Sequence, residues 1–133
     1  MVATNNAYII DASFLLNRLL DERPNLKVFD ILNQFEDKEI SLYAPFILKI
    51  EVCNALKSAV KQNRHTTKEI YIILEAFLDM GIIFKTLDYK HTLQLSIKYD
   101  LSYYDALYLS LSEKLHCPLL TLDKKLANLA KRK

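Results

Sequence analysis

Short apolar runs alternate along this chain with longer segments of helical periodicity, and this alternation constrains the fold more than any other feature. The first run, residues 7–10, ends at Asp11, where a small polar turn leads into the apolar residues of a helix. Similar runs predict three further strands, at residues 40–43, at 82–86 and within 117–122. Strands that alternate with helices favour a parallel α/β sheet covered on both faces.

Helical periodicity recurs between these runs. The longest helical segment follows Pro45, which fits its first turn, and its predicted buried stripe consists of Phe46, Ile50, Cys53, Leu56 and Val60. Gly81 is placed to end the next predicted helix, which spans residues 68–80. The predicted helices span residues 14–20, 25–35, 46–64, 68–80, 89–99, 103–115 and 124–130.

The composition is that of a globular chain. Its 133 residues are enough for a sizeable core, and 51% hydrophobic against 26% charged residues excludes a disordered chain, so we predict a single domain over residues 1–133. No apolar run is long enough to cross a membrane, and the first six residues lack the pattern of a signal peptide. Two cysteines without a disulfide pattern fit a reducing compartment, so the expected location is the cytoplasm.

Several common catalytic sites are excluded or disfavoured by the sequence. A single glycine, Gly81, cannot supply a glycine-rich phosphate loop, which excludes P-loop and dinucleotide fingerprints. His65, His91 and His116 lie in unrelated contexts, without the spacing of a base and nucleophile pair. The two cysteines have no zinc-site spacing, and Cys53 is predicted to be a core residue.

Four acidic residues occupy positions that suit a divalent metal site: Asp11, Glu51, Asp105 and Asp123. Asp11 and Asp123 each follow a predicted strand, so both should emerge at strand carboxyl ends, where open α/β sheets usually bind ligands. Asp105 lies in the first turn of a predicted helix, and Glu51 lies on the small and polar face of another. Taken singly, each acid has a simpler interpretation. Asp11 and Asp123 could be helix N-caps, and Asp105 could form a capping box with Ser102. Glu51 could be an ordinary surface residue.

In their order and surroundings these residues resemble the PIN-domain nucleases, and among them the VapC-type toxins of prokaryotic toxin–antitoxin pairs. The resemblance covers nearly the whole chain and rests on Asp11-Ala12-Ser13, Ala44-Pro45 through Glu51 to Asn54-Ala55-Leu56, Leu101-Ser102-Tyr103-Tyr104-Asp105-Ala106-Leu107-Tyr108, and Leu120-Thr121-Leu122-Asp123. It implies a three-layer α/β fold of the PIN type, with a central, mostly parallel sheet of four or five strands flanked by about seven helices. Two departures are a predicted helix where the family often has a short last strand, and Asn128 where some relatives have another acid.

The resemblance implies a metal-dependent endoribonuclease, with Asp11, Glu51, Asp105 and Asp123 as ligands of Mg²⁺ or Mn²⁺. Hard divalent cations prefer carboxylate oxygens and water, and such ions can activate a water molecule and offset charge on a leaving oxygen. Ser13 and Thr121 fit as hydroxyl donors that orient the carboxylates. Two alternatives stay open: a PIN-fold nuclease of RNA maturation or repair without an antitoxin, and a catalytically silent binding module.

Contacts with RNA are predicted from the distribution of charge, because the net charge of +2 is modest. Lys57, Lys61 and Arg64 are spaced to share one helix face, and a second basic group follows Asp123, consisting of Lys124, Lys125, Lys131, Arg132 and Lys133. A solvated helix face is an equal alternative for these cations. The resemblance also implies a cognate antitoxin and a homodimer, with contacts expected on the helices at 25–35 and 68–80.

Overall fold

The computed structural model describes residues 6–20 and 23–131, and these contain a four-stranded parallel sheet. The strands are β1 (Ala7–Ile10), β2 (Ser41–Pro45), β3 (Ile83–Lys85) and β4 (Leu119–Leu120), in the order β3-β2-β1-β4. The predicted parallel α/β sheet is therefore confirmed, with four strands in the described part of the chain. Residues 1–5, most of the segment compared with signal peptides, lie outside the described residues.

Seven helices are present in the same ranges, as the periodicity predicts. They are α1 (Ala12–Leu19), α2 (Leu26–Glu36), α3 (Ile47–Lys61), α4 (Thr67–Leu78), α5 (Tyr89–Tyr99), α6 (Tyr103–Leu115) and α7 (Lys124–Lys131). Side-chain caps start several of them: Asn25 caps α2, Thr66 forms a capping box with Glu69 on α4, and Asp88 caps α5. Because these signals are local, they place helix starts close to the predicted residues.

The buried face of α3 differs from the predicted one. Pro45 ends β2 and does not lie in the first turn of α3, while Ile50 is 65% exposed and Cys53 is exposed as well. The residues that α3 buries are Leu48, Val52, Leu56 and Ala59. Two apolar stripes run along this helix and both satisfy the helical period, so periodicity could not choose between them. Packing of α3 against α1, α4 and β2 selects the second stripe.

Helix α6 is buried along most of its length, and this burial fixes its first turn. Every residue from Ala106 to Ser112 is buried, and the helix packs against β1, β2, α5 and α7. A helix that is enclosed on several sides cannot shift without opening the core. The residue just before this buried run is Asp105. In the described ranges, no helix has the length and apolar character needed to span a membrane.

Candidate functional site

The carboxyl ends of β1 and β4 lie side by side, and this brings two of the four acids to one edge of the sheet. Ile10 is in register with Leu120, and the Asp11 amide donates a hydrogen bond to the Leu120 carbonyl at 3.1 Å. Asp11 directly follows β1, and Asp123 follows β4 by three residues. The two strand-end positions that the sequence predicts are therefore neighbours in the fold.

Asp11 is buried beneath this edge, with 5% of its surface exposed. Its Oδ1 accepts hydrogen bonds from the Phe14 amide at 3.0 Å and from the Ser13 hydroxyl at 2.7 Å, so the residue is also the N-cap of α1. Burial raises the pKa of Asp11, hydrogen bonds from Thr121, Phe14 and Ser13 oppose the rise, and the charge of Asp105 adds to it. Both of these hydrogen bonds go to Oδ1, so the capping role of Asp11 does not occupy Oδ2.

Ser13 and Thr121 connect the ends of the two strands. The Ser13 hydroxyl lies 3.4 Å from the Thr121 hydroxyl and accepts a hydrogen bond from the Leu122 amide at 2.9 Å. Thr121 in turn accepts one from the Asp123 amide at 3.1 Å. Since Ser13 also donates to Asp11, one hydroxyl ties the buried carboxylate to the segment that carries Asp123.

Asp105 enters the site from the first turn of α6. Ser102 is the N-cap of this helix, and its hydroxyl accepts a hydrogen bond from the Asp105 amide at 3.1 Å. Burial raises the pKa of the Asp105 carboxyl, and the negative charge of Asp123 raises it further, while Ser102 and the cation of Lys125 oppose the rise. The Ser102 half of the predicted capping box is therefore present, because Ser102 is the N-cap and accepts from the Asp105 amide.

Glu51 reaches the same region from α3 and meets Tyr108 of α6. The Tyr108 hydroxyl donates a hydrogen bond to Glu51 Oε1. Burial raises the pKa of Glu51 and repulsion from Asp11 and Asp105 adds to this, whereas the hydrogen bond from Tyr108 lowers it. Tyr108 is not among the site residues predicted from the sequence. Its position three residues after Asp105, hence on the same face of α6, is the signal that could have identified it.

Three of the four predicted carboxylates thus interact with one another, and the fourth lies at the rim. Asp11, Glu51 and Asp105 are close enough to repel each other electrostatically. Asp123 is exposed, and its negative charge raises the pKa of Asp105. It also caps α7, because its Oδ1 accepts a hydrogen bond of 2.9 Å from the Leu126 amide. Within residues 6–20 and 23–131, no three His, Cys, Asp or Glu side chains lie close enough to form a ready-made metal site.

The predicted basic residues are divided between two places. Lys125 lies beside the acids, and its positive charge therefore opposes the rise in the pKa of Asp105. Its Nζ donates a hydrogen bond to the Asp100 carbonyl at 3.0 Å. Lys124 is exposed at the start of α7. Lys57 and Lys61 instead line a groove of about 610 Å³ between α3 and α4.

The spacing predicts that Arg64 shares a helix face with these two lysines, and this prediction is wrong. Helix α3 ends at Lys61, and Arg64 lies in the following turn, where its Nε donates to Gln62 at 3.0 Å. The turn forms because Asn63 adopts a left-handed conformation, with φ of 59°, which short polar residues tolerate. Lys131 is exposed at the end of α7, while Arg132 and Lys133 lie outside the described residues.

The raised pKa values of three carboxyl groups predict how the stability of the metal-free protein depends on pH. Asp11, Glu51 and Asp105 bind protons more tightly in the folded than in the unfolded chain, so their contribution to stability falls as the pH rises from the reference values of 3.8 and 4.5 through the folded-state pKa values. At neutral pH without metal, we expect Asp105→Asn to be more stable than the wild type. This advantage should shrink as the pH falls towards 3.8, the reference value of Asp105.

Urea unfolding of both proteins in EDTA, from about pH 5 to about pH 8, measures this difference. Comparing the two proteins at each pH cancels the contributions of other groups. One such group is Glu69, whose pKa is lowered by a hydrogen bond from the Thr66 amide and which therefore acts in the opposite direction. A stability difference that is absent at neutral pH, or that does not change with pH, would contradict the crowding of negative charge around Asp105.

Comparison with known proteins agrees with this architecture. Residues 8–132 match the family model of the PIN domain. Among solved structures, the chain is similar to the crystal structure of PAE2754 from Pyrobaculum aerophilum, with a TM-score of 0.68 and 23% sequence identity over 95% of this chain and 88% of that one. A search of curated proteins by sequence finds no match. PIN domains are generally nucleases. Because the family match spans nearly its whole length, the chain belongs to the PIN-domain family.

Proposed function

We propose that this protein is a metal-dependent endoribonuclease that hydrolyses phosphodiester bonds in RNA. The observation that carries the proposal is the meeting of Asp11, Glu51 and Asp105 at one edge of the sheet, where their negative charges repel. Like charges are costly to hold together unless a cation binds between them. Membership in a family whose nucleases usually use divalent metals supports the same conclusion.

The donor set fits a hard divalent cation such as Mg²⁺ or Mn²⁺. It consists of carboxylates with hydroxyl groups behind them, and no histidine or cysteine belongs to it among the described residues. Mg²⁺ is usually held by one or two carboxylates, with waters and substrate phosphates completing its six ligands. A few carboxylates that leave room for waters and a substrate phosphate therefore suit it better than a closed protein cage. When bound, such an ion lowers the pKa of a coordinated water and offsets negative charge on the phosphodiester.

The residues of the chain divide the work of the site. Asp11, Glu51, Asp105 and Asp123 would hold the ion or ions, the first three from within the site and Asp123 from its exposed rim. Ser13 and Thr121 would orient Asp11, because their hydroxyls connect it to the end of β4. Lys125, next to Asp105, is the best placed of the basic residues to attract a phosphate. Lys124, Lys57, Lys61 and Arg64 would contact RNA farther along its backbone.

The cellular role we propose is that of a VapC-type toxin held in check by a cognate antitoxin. Exposed apolar residues on the two helices expected to make contacts support this: Leu26, 81% exposed, and Phe29 on α2, with Tyr71 and Ile72 on α4. The same surfaces could serve a homodimer. A small gene directly upstream, whose product copurifies with this chain, would support the toxin role, and its absence would favour a nuclease without an antitoxin.

The test of the nuclease is cleavage of a mixed pool of structured RNAs by the wild type and Asp105→Asn, purified identically. We expect cuts with Mg²⁺ or Mn²⁺ that disappear in EDTA and in the variant, because both changes remove metal from the site. Equal cutting by the two proteins would indicate a contaminating nuclease and contradict the assignment of Asp105. A wild type that cuts nothing under any condition would favour the silent binding module.

A further inference from the structure

Tyr108 lies at the floor of the acidic site although it carries no charge. The side chain is 1% exposed, and its hydroxyl donates a hydrogen bond to Glu51 Oε1. Burial raises the pKa of Tyr108, and the negative charges of Glu51, Asp11 and Asp105 raise it further. A phenol has one proton to donate, and here the acceptor is Glu51.

The hydrogen bond restricts what the Glu51 carboxylate can do. Glu51 belongs to α3, whereas Tyr108 belongs to the buried run of α6, so the bond ties a half-buried carboxylate to a helix that is enclosed by the core. With Oε1 held by the phenol, Oε2 is the oxygen that is free to turn towards a cation. Binding one ion through both oxygens would require the ion to share Oε1 with the phenol of Tyr108.

We propose that Tyr108 is a positioning residue that makes Glu51 bind its metal through one oxygen and so favours Mg²⁺ over Ca²⁺. The inference rests on the proposed function, because it concerns the same site. Mg²⁺ requires near-octahedral geometry at about 2.1 Å, which single-oxygen ligands provide. Ca²⁺ takes about six to eight oxygens at longer distances and often binds a carboxylate through both.

The test compares Mg²⁺ and Ca²⁺ binding by the wild type, Tyr108→Phe and a control variant, using isothermal titration calorimetry without RNA. Tyr108→Phe keeps the ring and removes the one donor, so it should fold. We expect its Mg²⁺ affinity to fall by about 10- to 100-fold, as for other groups that orient metal ligands, and its Ca²⁺ affinity to fall less. The control is Tyr103→Phe on the same helix, whose hydroxyl donates to the Tyr89 carbonyl at 3.2 Å. Its two affinities should match those of the wild type.

The outcomes separate this inference from the proposed function. A wild type that binds Mg²⁺, with an unchanged ratio of Mg²⁺ to Ca²⁺ affinity in Tyr108→Phe, would overturn the role of Tyr108 and leave the nuclease intact. A wild type that binds neither ion would overturn both. Should Tyr108→Phe fail to fold by circular dichroism, Glu51→Asp serves instead, because its shorter side chain draws the carboxylate away from the phenol. It should lose the same discrimination between ions, and an unchanged ratio would again refute the inference.

Discussion

Asp11→Asn is expected to lower the rate of RNA cleavage by at least about 100-fold, since even the groups that orient metal ligands typically contribute about 10- to 100-fold. The amide oxygen can still accept from the Phe14 amide and the Ser13 hydroxyl, so the cap of α1 should survive. What the variant loses is the negative charge. For the same reason it should be more stable than the wild type without metal, because burial raises the pKa of Asp11 and makes its charge costly.

Single-turnover cleavage in Mg²⁺ and urea unfolding in EDTA measure the two effects. A matched control is Asp88→Asn, since Asp88 caps α5 through the His91 amide at 3.0 Å and its carboxylate makes no hydrogen bond to the acidic site within the described residues. That variant should cleave RNA at the rate of the wild type. Cleavage by Asp11→Asn at the rate of the control would remove Asp11 from the catalytic centre, whatever the stability measurement gives.

Ser13→Ala is expected to weaken metal binding and cleavage by about 10- to 100-fold, although Ser13 carries no charge. Its hydroxyl donates to Asp11 at 2.7 Å and accepts from the Leu122 amide at 2.9 Å, so its removal frees the buried carboxylate to rotate and loosens the segment after β4. Asp123 lies in that segment. The loss of these hydrogen bonds should also lower the free energy of unfolding by about 1 kcal/mol.

The measurement is Mn²⁺ affinity by titration calorimetry, together with the cleavage rate at saturating metal. Ser112→Ala is the matched control, because the Ser112 hydroxyl also donates a local hydrogen bond, to the Cys117 carbonyl, but outside the acidic site. Both variants should lose some stability, and only Ser13→Ala should lose metal affinity. If the two variants bind Mn²⁺ equally well, the link between Ser13 and Asp11 is structural only.

The positions of three site residues followed from local signals in the sequence. Asp11 and Asp123 stand where apolar runs end, and Asp105 stands three residues after a capping serine, so each could be assigned to the start of a helix. The parallel sheet followed from the alternation of strands and helices, and parallel strands place their carboxyl ends on one edge. Neighbouring residues decide all of these features, which is why the sequence was sufficient to predict them.

Other features depended on packing between distant segments. Helix α3 has two apolar stripes of equal periodicity, and its contacts with α1, α4 and β2 decide that Leu48 and Val52 are buried while Ile50 is exposed. The sequence also predicts that this helix reaches residue 64, whereas α3 ends at Lys61. The helical spacing of charged residues continues past the last hydrogen-bonded turn, so spacing alone did not mark the end. The hydrophobic effect is non-directional, so it favours the burial of either apolar face equally. Which face is buried depends on the elements that pack against the helix.

By itself the sequence determined the layered α/β architecture. It also determined that the four acids lie at the starts of elements or on a polar helix face. Both follow from strand ends, caps and periodicity, which are properties of residues close together in the chain. Only the tertiary structure decided how those acids meet. Glu51 and Tyr108 are 57 residues apart, and their hydrogen bond exists because α3 and α6 pack on the same sheet. The exposure of Asp123 and the burial of Asp11 likewise depend on which elements cover each strand end. Distance through space, which sequence spacing does not encode, sets the chemistry of the site.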